Sequence, residues 1–425
     1  MPHDALVEAA TAALESLGAA ASDARRLFVP GRLEVLGKHT DYAGGRTLVC
    51  AAERGICFAA APRTDAEVRV VDAASRESLD FTIGPALRHA PRHWANYPLT
   101  VARRIARNFP GPLAGADITF ASDLPPAAGM SSSSALVVGF FTVLADVNQL
   151  ARRHEYLQNI HSTEELAGYL GTMENGSSFG SLRGDTGVGT AGGSEDHTAI
   201  LCCRAGALSQ YAFCPIRHER TVPLPAGWTF AIGVSGVVAD KNAAAQESYN
   251  RAARTVDTIL AAWRAATGRS DGCLAEAVAS APDAPERLRE ILRTAATEPE
   301  PLLARLEQFV VESTEIVPEV GDCLARGDVE GIGVLVDRSQ RGAERWLGNQ
   351  VPETVALARS ARRLGAAAAS AFGAGFGGAV WAGVRTHDAN DFVERWGREY
   401  RGTFPARALQ ASFFLTRPGQ GMQRL

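Results

Sequence analysis

The stretch from Leu124 to Leu136, LPPAAGMSSSSAL, constrains the fold of this chain more than any other. Before it, Ile118 and Phe120 alternate with polar residues, which is typical of a half-buried strand. After it, residues 135–150 are almost all apolar, which predicts a buried helix. A loop of small residues that opens a helix offers unpaired N–H groups and the positive end of the helix dipole to an anion. The stretch therefore predicts a phosphate-binding loop between a strand and a helix.

This loop has two alternative interpretations. Serine is a preferred helix-capping residue and proline a common helix breaker, so an ordinary capped helix after a turn is an alternative. Four consecutive serines after a glycine exceed what one cap requires. The rival phosphate motif, GxxxxGK[ST], is absent from the sequence, because the Gly37-Lys38 pair lacks the first glycine and His39 follows the lysine.

Composition is that of a globular protein. Of 425 residues, 46% are apolar and 21% charged, and this length predicts about two domains with large cores. The formal net charge of −4 gives no sign of a surface for nucleic acid or membrane. The sequence has no run near the ~18 apolar residues of a membrane span, no secretory-signal pattern and no CxxC pair among its seven cysteines. We therefore expect a cytoplasmic protein that binds neither nucleic acid nor membranes.

Three further segments carry polar or aromatic groups in unusual density. Between predicted strands near 33–35 and 48–50 lies the connection LGKHTDYAGG, which is chemically dense for a turn. Trp94 and Tyr97 open a helix, where aromatic residues belong more often to a core than to a binding site. Residues 176–193 are rich in glycine and serine and predict a flexible loop.

Two features lie further along the chain. Asp196 follows two glycines, a position at which an aspartate is usually a helix cap. Residues 370–384, SAFGAGFGGAVWAGV, predict a second glycine loop that leads into an alternating strand. Its glycines permit positive φ angles and close approach of the backbone to another group; they are Gly373, Gly375, Gly377 and Gly378.

Taken together, these segments resemble the GHMP kinase family and, within it, the galactokinases. Three family motifs appear in order and read VPGRLEVLGKHTDYAGG, LPPAAGMSSSSAL and FGAGFGGA in this chain. Weaker similarities lie at WANY (94–97), GGSED (192–196) and SYNRAAR (248–254). The resemblance implies an α+β fold of two domains. An S5-domain-2-like nucleotide-binding domain would cover 1–207, a C-terminal GHMP domain would cover 208–425, and the active site would lie in the cleft between them.

The resemblance also implies roles for individual residues. Asp196 would lie beside the anomeric hydroxyl of a sugar, orient it and accept its proton, with Arg32 close by. Mg²⁺ would be held by Ser133 and Glu174, since it prefers oxygen ligands. The implied ATP phosphate-binding residues are Gly129, Met130, Ser131, Ser132, Ser133 and Ser134, and Trp94 and Tyr97 would lie near the adenine. The implied sugar-binding residues are Lys38, His39, Asp41, Gly193 and Tyr249, and the second glycine loop would line the same site.

Position 38 departs from the family motif. Galactokinases have a glutamate there that helps to bind the sugar, and Lys38 replaces this acceptor with a donor of opposite charge. A lysine that faces the substrate would suit the carboxylate of a uronic acid. A lysine that pairs instead with Glu34 or Asp41 leaves a neutral, galactose-like sugar as the substrate.

Two smaller departures concern the metal and the catalytic segment. Glu174 and Asp196 are 22 positions apart (196 − 174), wider than the family spacing, so Glu164 and Glu165 are rival metal ligands. His197 stands where the family has a glutamine, and a structural role is the simplest interpretation.

The resemblance therefore implies an enzyme, an ATP- and Mg²⁺-dependent kinase that phosphorylates the anomeric hydroxyl of galactose or a related sugar. Three alternatives stay open: a uronic acid kinase, a non-catalytic regulator that binds sugar and ATP, and a kinase for a non-sugar alcohol such as mevalonate. Arg32 and Asp196 together favour an enzyme over a regulator, and the HTDY segment favours a sugar over mevalonate. The chain is expected to be a monomer or a dimer.

Overall fold

Two β-sheets and the helices packed on them make up the part of the chain that this computed structural model describes, namely residues 3–20, 22, 24–90, 93–126, 128–237 and 243–425. The strands are β1 (Arg25–Leu36), β2 (Arg46–Pro62), β3 (Glu67–Asp72), β4 (Ser78–Thr82), β5 (Ala116–Ser122), β6 (Ala207–Ala212), β7 (Arg217–Pro223), β8 (Trp228–Val234), β9 (Ala368–Phe372), β10 (Ala379–Arg385), β11 (Ser412–Thr416) and β12 (Gln423–Arg424). In the described residues, the first sheet has the order β12-β1-β2-β5-β3-β4, with β6 paired to β2 and β7 to β6. The second sheet has the order β11-β8-β10-β9.

Helices cover both sheets and form a separate helical region between β8 and β9. They are α1 (Asp4–Ser16), α2 (Asn96–Asn108), α3 (Ser132–Val147), α4 (His154–Asn159), α5 (Thr163–Asn175), α6 (Glu195–Cys202), α7 (Ala243–Thr267), α8 (Leu274–Ala279), α9 (Ala284–Ala295), α10 (Pro299–Val310), α11 (Val317–Ala325), α12 (Ile332–Gly342), α13 (Pro352–Arg363) and α14 (Ala389–Thr403). π-helical turns follow α10 and α12, at Val311–Ile316 and Ala343–Leu347. Within the described ranges, none of the helices has both the length and the apolar character needed to span a bilayer.

The largest apolar core joins the two sheets. Leu33 and Val35 of β1, Val137 of α3 and Trp381 of β10 all belong to it and are almost completely buried. The indole Nε1 of Trp381 also donates a hydrogen bond to the carbonyl oxygen of Val35 at 3.1 Å. Since burial of apolar surface is the main stabilising contribution in folding, this core fixes the end of β1 between the sheets.

The predicted succession of strand, loop and helix around the serines is confirmed, because β5 ends at Ser122 and α3 begins at Ser132. The glycine-rich segment 176–193 differs from the predicted flexible loop. Its Asp185 pairs with Arg103 at 2.7 Å and Arg104 at 3.4 Å, and these three side chains are almost completely buried. The segment is therefore anchored to α2 by an ion-pair cluster that joins residues far apart in the sequence.

The predicted domain boundary at 207/208 falls at the start of β6 and stays a prediction. Strands β6 and β7 extend the first sheet, so the chain changes sheet between Pro223 and Trp228. Strand β12, close to the C-terminus, returns to pair with β1. β7 is mostly polar and β8 is buried throughout, but neither pattern tells which sheet a strand joins, because pairing depends on segments far apart in the chain.

Candidate active site

The serine loop lies between β5 and the first turn of α3. Gly129 adopts a φ of +71° and Ser131 a φ of +60°, so the chain turns sharply before the helix begins at Ser132. Ser131 occupies the capping position, but its side chain accepts no capping hydrogen bond, and its buried Oγ has no partner among the described residues. The capping alternative is thus not realised at Ser131. A helix start with unpaired N–H groups and an unpaired hydroxyl suits an anion.

Strand β1 brings Arg32 and Glu34 to the serine loop. The pairing of β1 with β2 shifts register on either side of these two residues, and such irregularities redirect side chains near functional sites. Residues two apart in a strand share a face, and both side chains line the same cavity. Arg32 donates from its main-chain N–H to the Met130 carbonyl at 3.1 Å and from Nη1 to the Gly129 carbonyl at 2.8 Å. The strand and the loop are therefore held together by Arg32.

Three carboxylates surround the Arg32 guanidinium. Nη2 lies 2.7 Å from Asp196 Oδ1 and 3.6 Å from Glu34 Oε2, and Nε lies 3.0 Å from Glu195 Oε1. Burial lowers the pKa of Arg32, but the three carboxylates outweigh that effect and raise it overall. The Asp196 side chain is 30% exposed, whereas those of Glu34 and Glu195 are only 4% exposed. Asp196 therefore presents its carboxylate to the open part of the cavity.

Burial acts most strongly on the two glutamates of this cluster. Burial raises the pKa of Glu195 well above its usual range, the charge of Glu34 adds to the rise, and Arg32 opposes it. Burial likewise raises the pKa of Glu34 to about 7, although Arg32 and Lys38 act to lower it. Burial is the largest cause at both glutamates, so folding favours the protonated form of each.

Oxygen donors gather at the start of α3. The Ser134 hydroxyl donates to Glu174 Oε1 at 2.6 Å and lies 3.3 Å from Asp196 Oδ2. The hydroxyl in contact with Glu174 thus belongs to Ser134, one position beyond the predicted Ser133, which also lines the cavity. Hydroxyl and carboxylate oxygens are the ligands that Mg²⁺ prefers, and few protein ligands suffice because the ion keeps several waters. The donor set therefore fits Mg²⁺.

The rival metal ligands lie elsewhere. Glu165 contacts the ring of His161 at the exposed start of α5, and in the described part of the chain neither Glu165 nor Glu164 lines the cavity. His197 does line it, with Nε2 at 3.4 Å from Glu174 Oε1. Burial lowers the pKa of His197, which favours a neutral ring beside that carboxylate.

His39 lines the cavity, but both of its ring nitrogens contact protein groups. Nε2 lies 3.0 Å from the Ala374 carbonyl oxygen and therefore carries the proton, while Nδ1 accepts a hydrogen bond from the Tyr42 hydroxyl at 2.9 Å. Burial and the charge of Arg305 lower the pKa of His39 to about 4, so the ring is neutral at pH 7. His39 joins the HTDY segment to the second glycine loop, and its contact with a sugar stays a prediction.

Asp41, Gly193 and Tyr249 also meet in this cavity. A Cβ atom on Gly193 would lie 2.2 Å from Asp41 Oδ2, so only glycine fits there. The same Oδ2 accepts a hydrogen bond from the main-chain N–H of Glu195 at 3.1 Å, and burial raises the pKa of Asp41. The Tyr249 ring of α7 packs against the His39 ring with 5.0 Å between centroids. The helical region thus contributes to the wall of the cavity.

The second glycine loop, residues 373–378, joins β9 to β10 and lies against the serine loop. A Cβ atom on Gly129 would lie 3.2 Å from the Phe372 carbonyl oxygen, and one on Gly373 would lie 3.0 Å from the Gly129 carbonyl oxygen. The two loops therefore touch main chain to main chain. The four predicted glycines all line the cavity: Gly373, Gly375, Gly377 and Gly378.

Lys38 turns away from the cavity, which corrects the expectation that it contacts the sugar. It is 1% exposed, and its Nζ donates to Ser339 Oγ at 2.9 Å. The Ser339 hydroxyl in turn donates to Glu312 Oε1 at 2.9 Å. The partner of Lys38 lies on α12, 301 positions along the chain, so no local pattern predicts it.

Trp94 and Tyr97 do not belong to the cavity lining in the described part of the chain. Both pack, partly buried, against the large core, and Trp94 makes an edge contact with Phe120 of β5 at 5.5 Å between centroids. Their position near an adenine stays a prediction.

The cavity has two sides of different composition. The loop side consists of residues 129–134 and 373–378. The carboxylate side consists of Arg32, Glu34, Asp41, Glu195 and Asp196. Sequence reasoning did not assign Glu34, Glu195 or Thr190 to the site, although the spacing of Glu34 from Arg32 and of Glu195 from Asp196 offered a signal for the first two.

Comparison with known proteins agrees with this geometry. The sequence model of the galactokinase galactose-binding signature matches residues 17–62, and that of the GHMP kinase N-terminal domain matches residues 96–177. A galactokinase of Roseiflexus sp. is 30% identical over 405 residues, which cover 93% of this chain and 92% of the relative. The chain belongs to the galactokinase family. The family predicted from the sequence motifs and the class of enzyme, a galactokinase-like sugar kinase, are thereby confirmed.

Other relatives of this galactokinase family member support the assignment. A galactokinase of Chloroflexus aggregans is 28% identical over 373 residues, which cover 86% of this chain and 85% of the relative. The crystal structure of Lactococcus lactis galactokinase complexed with galactose has a TM-score of 0.80 at 20% identity, over 98% of this chain and 99% of that one. Mevalonate kinase from Methanococcus jannaschii has a TM-score of 0.57 at 14% identity, over 92% and 98% of the two chains. The solved structures confirm the predicted two-domain α+β GHMP kinase fold.

Proposed function

We propose that the protein transfers the γ-phosphate of ATP to the anomeric hydroxyl of galactose or a closely related sugar. The observation that carries this proposal is the contact of Arg32 with both sides of one cavity. Its Nη1 donates to the Gly129 carbonyl on the loop side at 2.8 Å, and its Nη2 lies 2.7 Å from Asp196 Oδ1 on the carboxylate side. A phosphate bound on the loop side and a hydroxyl bound at Asp196 would be adjacent to the same guanidinium.

Phosphoryl transfer requires mostly positioning and stabilisation of charge on the moving phosphoryl group. Asp196 would orient the attacking hydroxyl and accept its proton, and Arg32 would hold Asp196 in place and stabilise charge on the transferred group. The N–H groups at the start of α3 and the unpaired Ser131 hydroxyl would bind the phosphates of ATP.

Ser134 and Glu174 would hold Mg²⁺, with Ser133 as the neighbouring hydroxyl. When bound, the ion neutralises charge on the phosphate oxygens. The hydrogen bond between Ser134 and Glu174 keeps both oxygens at one place beside Asp196, so this chain prepares the donor set in advance.

The position of Lys38 favours a neutral sugar over a uronic acid. Its amino group is buried against Ser339, outside the described lining of the cavity, so it does not supply a cation for a substrate carboxylate. The carboxylates of the cavity would instead repel such a group.

Release of ADP tests this proposal directly. The protein is incubated with Mg-ATP and, in turn, with galactose, galacturonic acid, glucuronic acid, arabinose, fucose and N-acetylgalactosamine, with an assay lacking sugar as the control. We expect release to be greatest with galactose or another neutral sugar. The greatest release with a uronic acid would contradict the assignment of substrate, and release independent of every sugar would contradict the assignment of a sugar kinase.

A further inference from the structure

Glu34 is a buried carboxyl group of the cavity whose hydrogen-bonding capacity is incompletely used. It is 3% exposed and lines the cavity beside Arg32. Its Oε2 lies 3.6 Å from Arg32 Nη2, which is beyond hydrogen-bond distance. Its Oε1 is buried and has no hydrogen-bond partner among the described residues.

An unpartnered carboxyl oxygen is costly in a folded protein, because a buried acceptor loses its hydrogen bonds with water and gains none in return. Burial is the largest effect at Glu34 and raises its pKa, while the charges of Arg32 and Lys38 act in the opposite direction. Almost all buried polar atoms in native proteins have a hydrogen-bond partner. An exception in the wall of a cavity is typical of a functional site, where a bound ligand can supply the partner.

The contacts of Lys38 and Glu312 distinguish Glu34 from the other charged groups near position 38. The Nζ of Lys38 donates to Ser339 Oγ, outside the described lining of the cavity. Glu312 accepts hydrogen bonds from Ser339 Oγ and from the main-chain N–H of Gly37, both at 2.9 Å, so its Oε1 already has partners. Of the glutamates near position 38, Glu34 is the one that both lines the cavity and keeps an unpartnered oxygen.

We propose that Glu34 binds a hydroxyl group of the sugar and selects sugars that carry this hydroxyl. This inference rests on the proposed function, because it names a specificity-determining residue for the same reaction. The burial that raises the pKa of Glu34 to about 7 leaves the assignment intact, since both a carboxylate and a carboxylic acid accept a hydrogen bond from a hydroxyl.

The test measures the affinity for sugars while two things are changed in combination. Substitutions of Glu34 remove its carboxyl oxygens, and deoxy sugars remove the sugar hydroxyls one at a time. Binding of galactose and of its 2-, 3-, 4- and 6-deoxy analogues is measured by calorimetry for the wild type, Glu34→Leu and Glu34→Gln. In the wild type we expect one deoxy analogue to bind about 10- to 100-fold more weakly than galactose because of Glu34. In Glu34→Leu this particular difference should vanish, and in Glu34→Gln, which retains an acceptor oxygen, part of it should return.

Glu312→Gln is the matched control, since it changes a buried glutamate near Lys38 that is not among the described lining residues, and its discrimination among the five sugars should match the wild type. If Glu34→Leu weakened the binding of all five sugars by the same factor, Glu34 would act only by positioning Arg32. That result would overturn the inference. Unchanged discrimination in Glu34→Leu would overturn it as well. If Glu34→Leu does not fold, unchanged discrimination and affinity in Glu34→Gln would count against it in the same way. A wild type that binds none of the five sugars would instead contradict the proposed function, and the inference with it.

Discussion

The loop side of the cavity is made of main-chain and hydroxyl groups, whereas the carboxylate side is made of ionisable side chains. On the loop side, Gly129 and Gly373 approach each other closely, and the local sequence determines the conformation. On the carboxylate side, the properties of Arg32, Glu34 and Glu195 depend on one another. The comparison teaches that the shape of each glycine loop follows from its own residues, whereas the charges of the carboxylate side follow from contacts between distant segments.

The largest effect is expected where the two sides meet. Asp196→Asn removes the proposed proton acceptor but keeps a polar side chain beside Arg32, so kcat should fall by about 10²- to 10⁴-fold while ATP still binds. Assays of ADP release and titration with ATP measure the two quantities separately. Glu195→Gln is the control, because Glu195 also contacts Arg32 but is buried, and its loss of kcat should be smaller. Equal losses in the two variants would remove the special role of Asp196.

The second prediction concerns the carboxylate side and the pH dependence of stability that Glu34 causes. Burial raises the pKa of Glu34 from 4.5, its ordinary value, to about 7 in the folded protein. Between these pH values the folded protein binds more protons than the unfolded chain. The free energy of unfolding of the wild type therefore declines as the pH rises from 4.5 to 7. Glu34→Gln removes this dependence. Its free energy of unfolding relative to the wild type should increase from pH 4.5 to pH 7, by up to about 3 kcal/mol. The charged and titratable neighbours are Arg32, Lys38, Asp196, Glu195 and Glu312.

Chemical denaturation at pH 4.5, 6 and 8 measures this change. Glu312→Gln again serves as the control, because Glu312 has two hydrogen-bond partners that a substitution would weaken at every pH. A Glu34→Gln variant that is less stable than the wild type at pH 8 would contradict the account of Glu34 as an incompletely partnered group.

Substitutions of two glycines, one on each side of the cavity, should affect the KM values of different substrates. Gly129→Ala forces a side chain onto a φ of +71° and towards Phe372, which costs about 1–2 kcal/mol and should raise the KM for ATP about 5- to 30-fold. Gly193→Ala would place a Cβ atom 2.2 Å from Asp41 Oδ2 and should raise the KM for the sugar instead. Steady-state kinetics with each substrate varied in turn distinguish them, and each variant is the control for the other. If both variants raised the same KM, the two sides would not be functionally distinct.

The smallest effect is expected at Lys38. Lys38→Met removes the hydrogen bond to Ser339 and should lower the free energy of unfolding by about 1 kcal/mol, with no change in the preference for galactose over galacturonic acid. Thermal unfolding and the ADP assay check the two parts. A shift in sugar preference would mean that the lysine contacts the substrate.

Much of the loop side followed from the sequence. The alternation before Ser122, the serine run and the apolar helix after it are local patterns, and they gave the correct order of elements. The contact of Ser134 with Glu174 was not predicted, because the helical rotation of the first turn decides which hydroxyl faces that carboxylate, and Ser133 as a metal ligand stays a prediction.

The carboxylate side was only partly predictable. Asp196 and Arg32 were found through motifs, but Glu34 was not assigned to the cavity, although residues two apart in a strand share a face. The register shifts of β1, the partners of Lys38 and the burial of Asp185 all depend on segments far apart in the chain. Periodicity and composition carry no information on such contacts. The sequence therefore predicted an active-site cleft but not the ion pairs and pKa shifts within it.

Phosphorus NMR of the reaction product tests the central claim most directly, namely that the two sides of one cavity join ATP to the anomeric hydroxyl of galactose. The wild type is incubated with Mg-ATP and galactose, and the coupling of the new phosphorus signal to the sugar protons is measured. The account predicts a sugar phosphate whose phosphorus couples to the anomeric proton, absent from the Asp196→Asn reaction. A phosphate on another carbon, or no sugar phosphate at all, would contradict it.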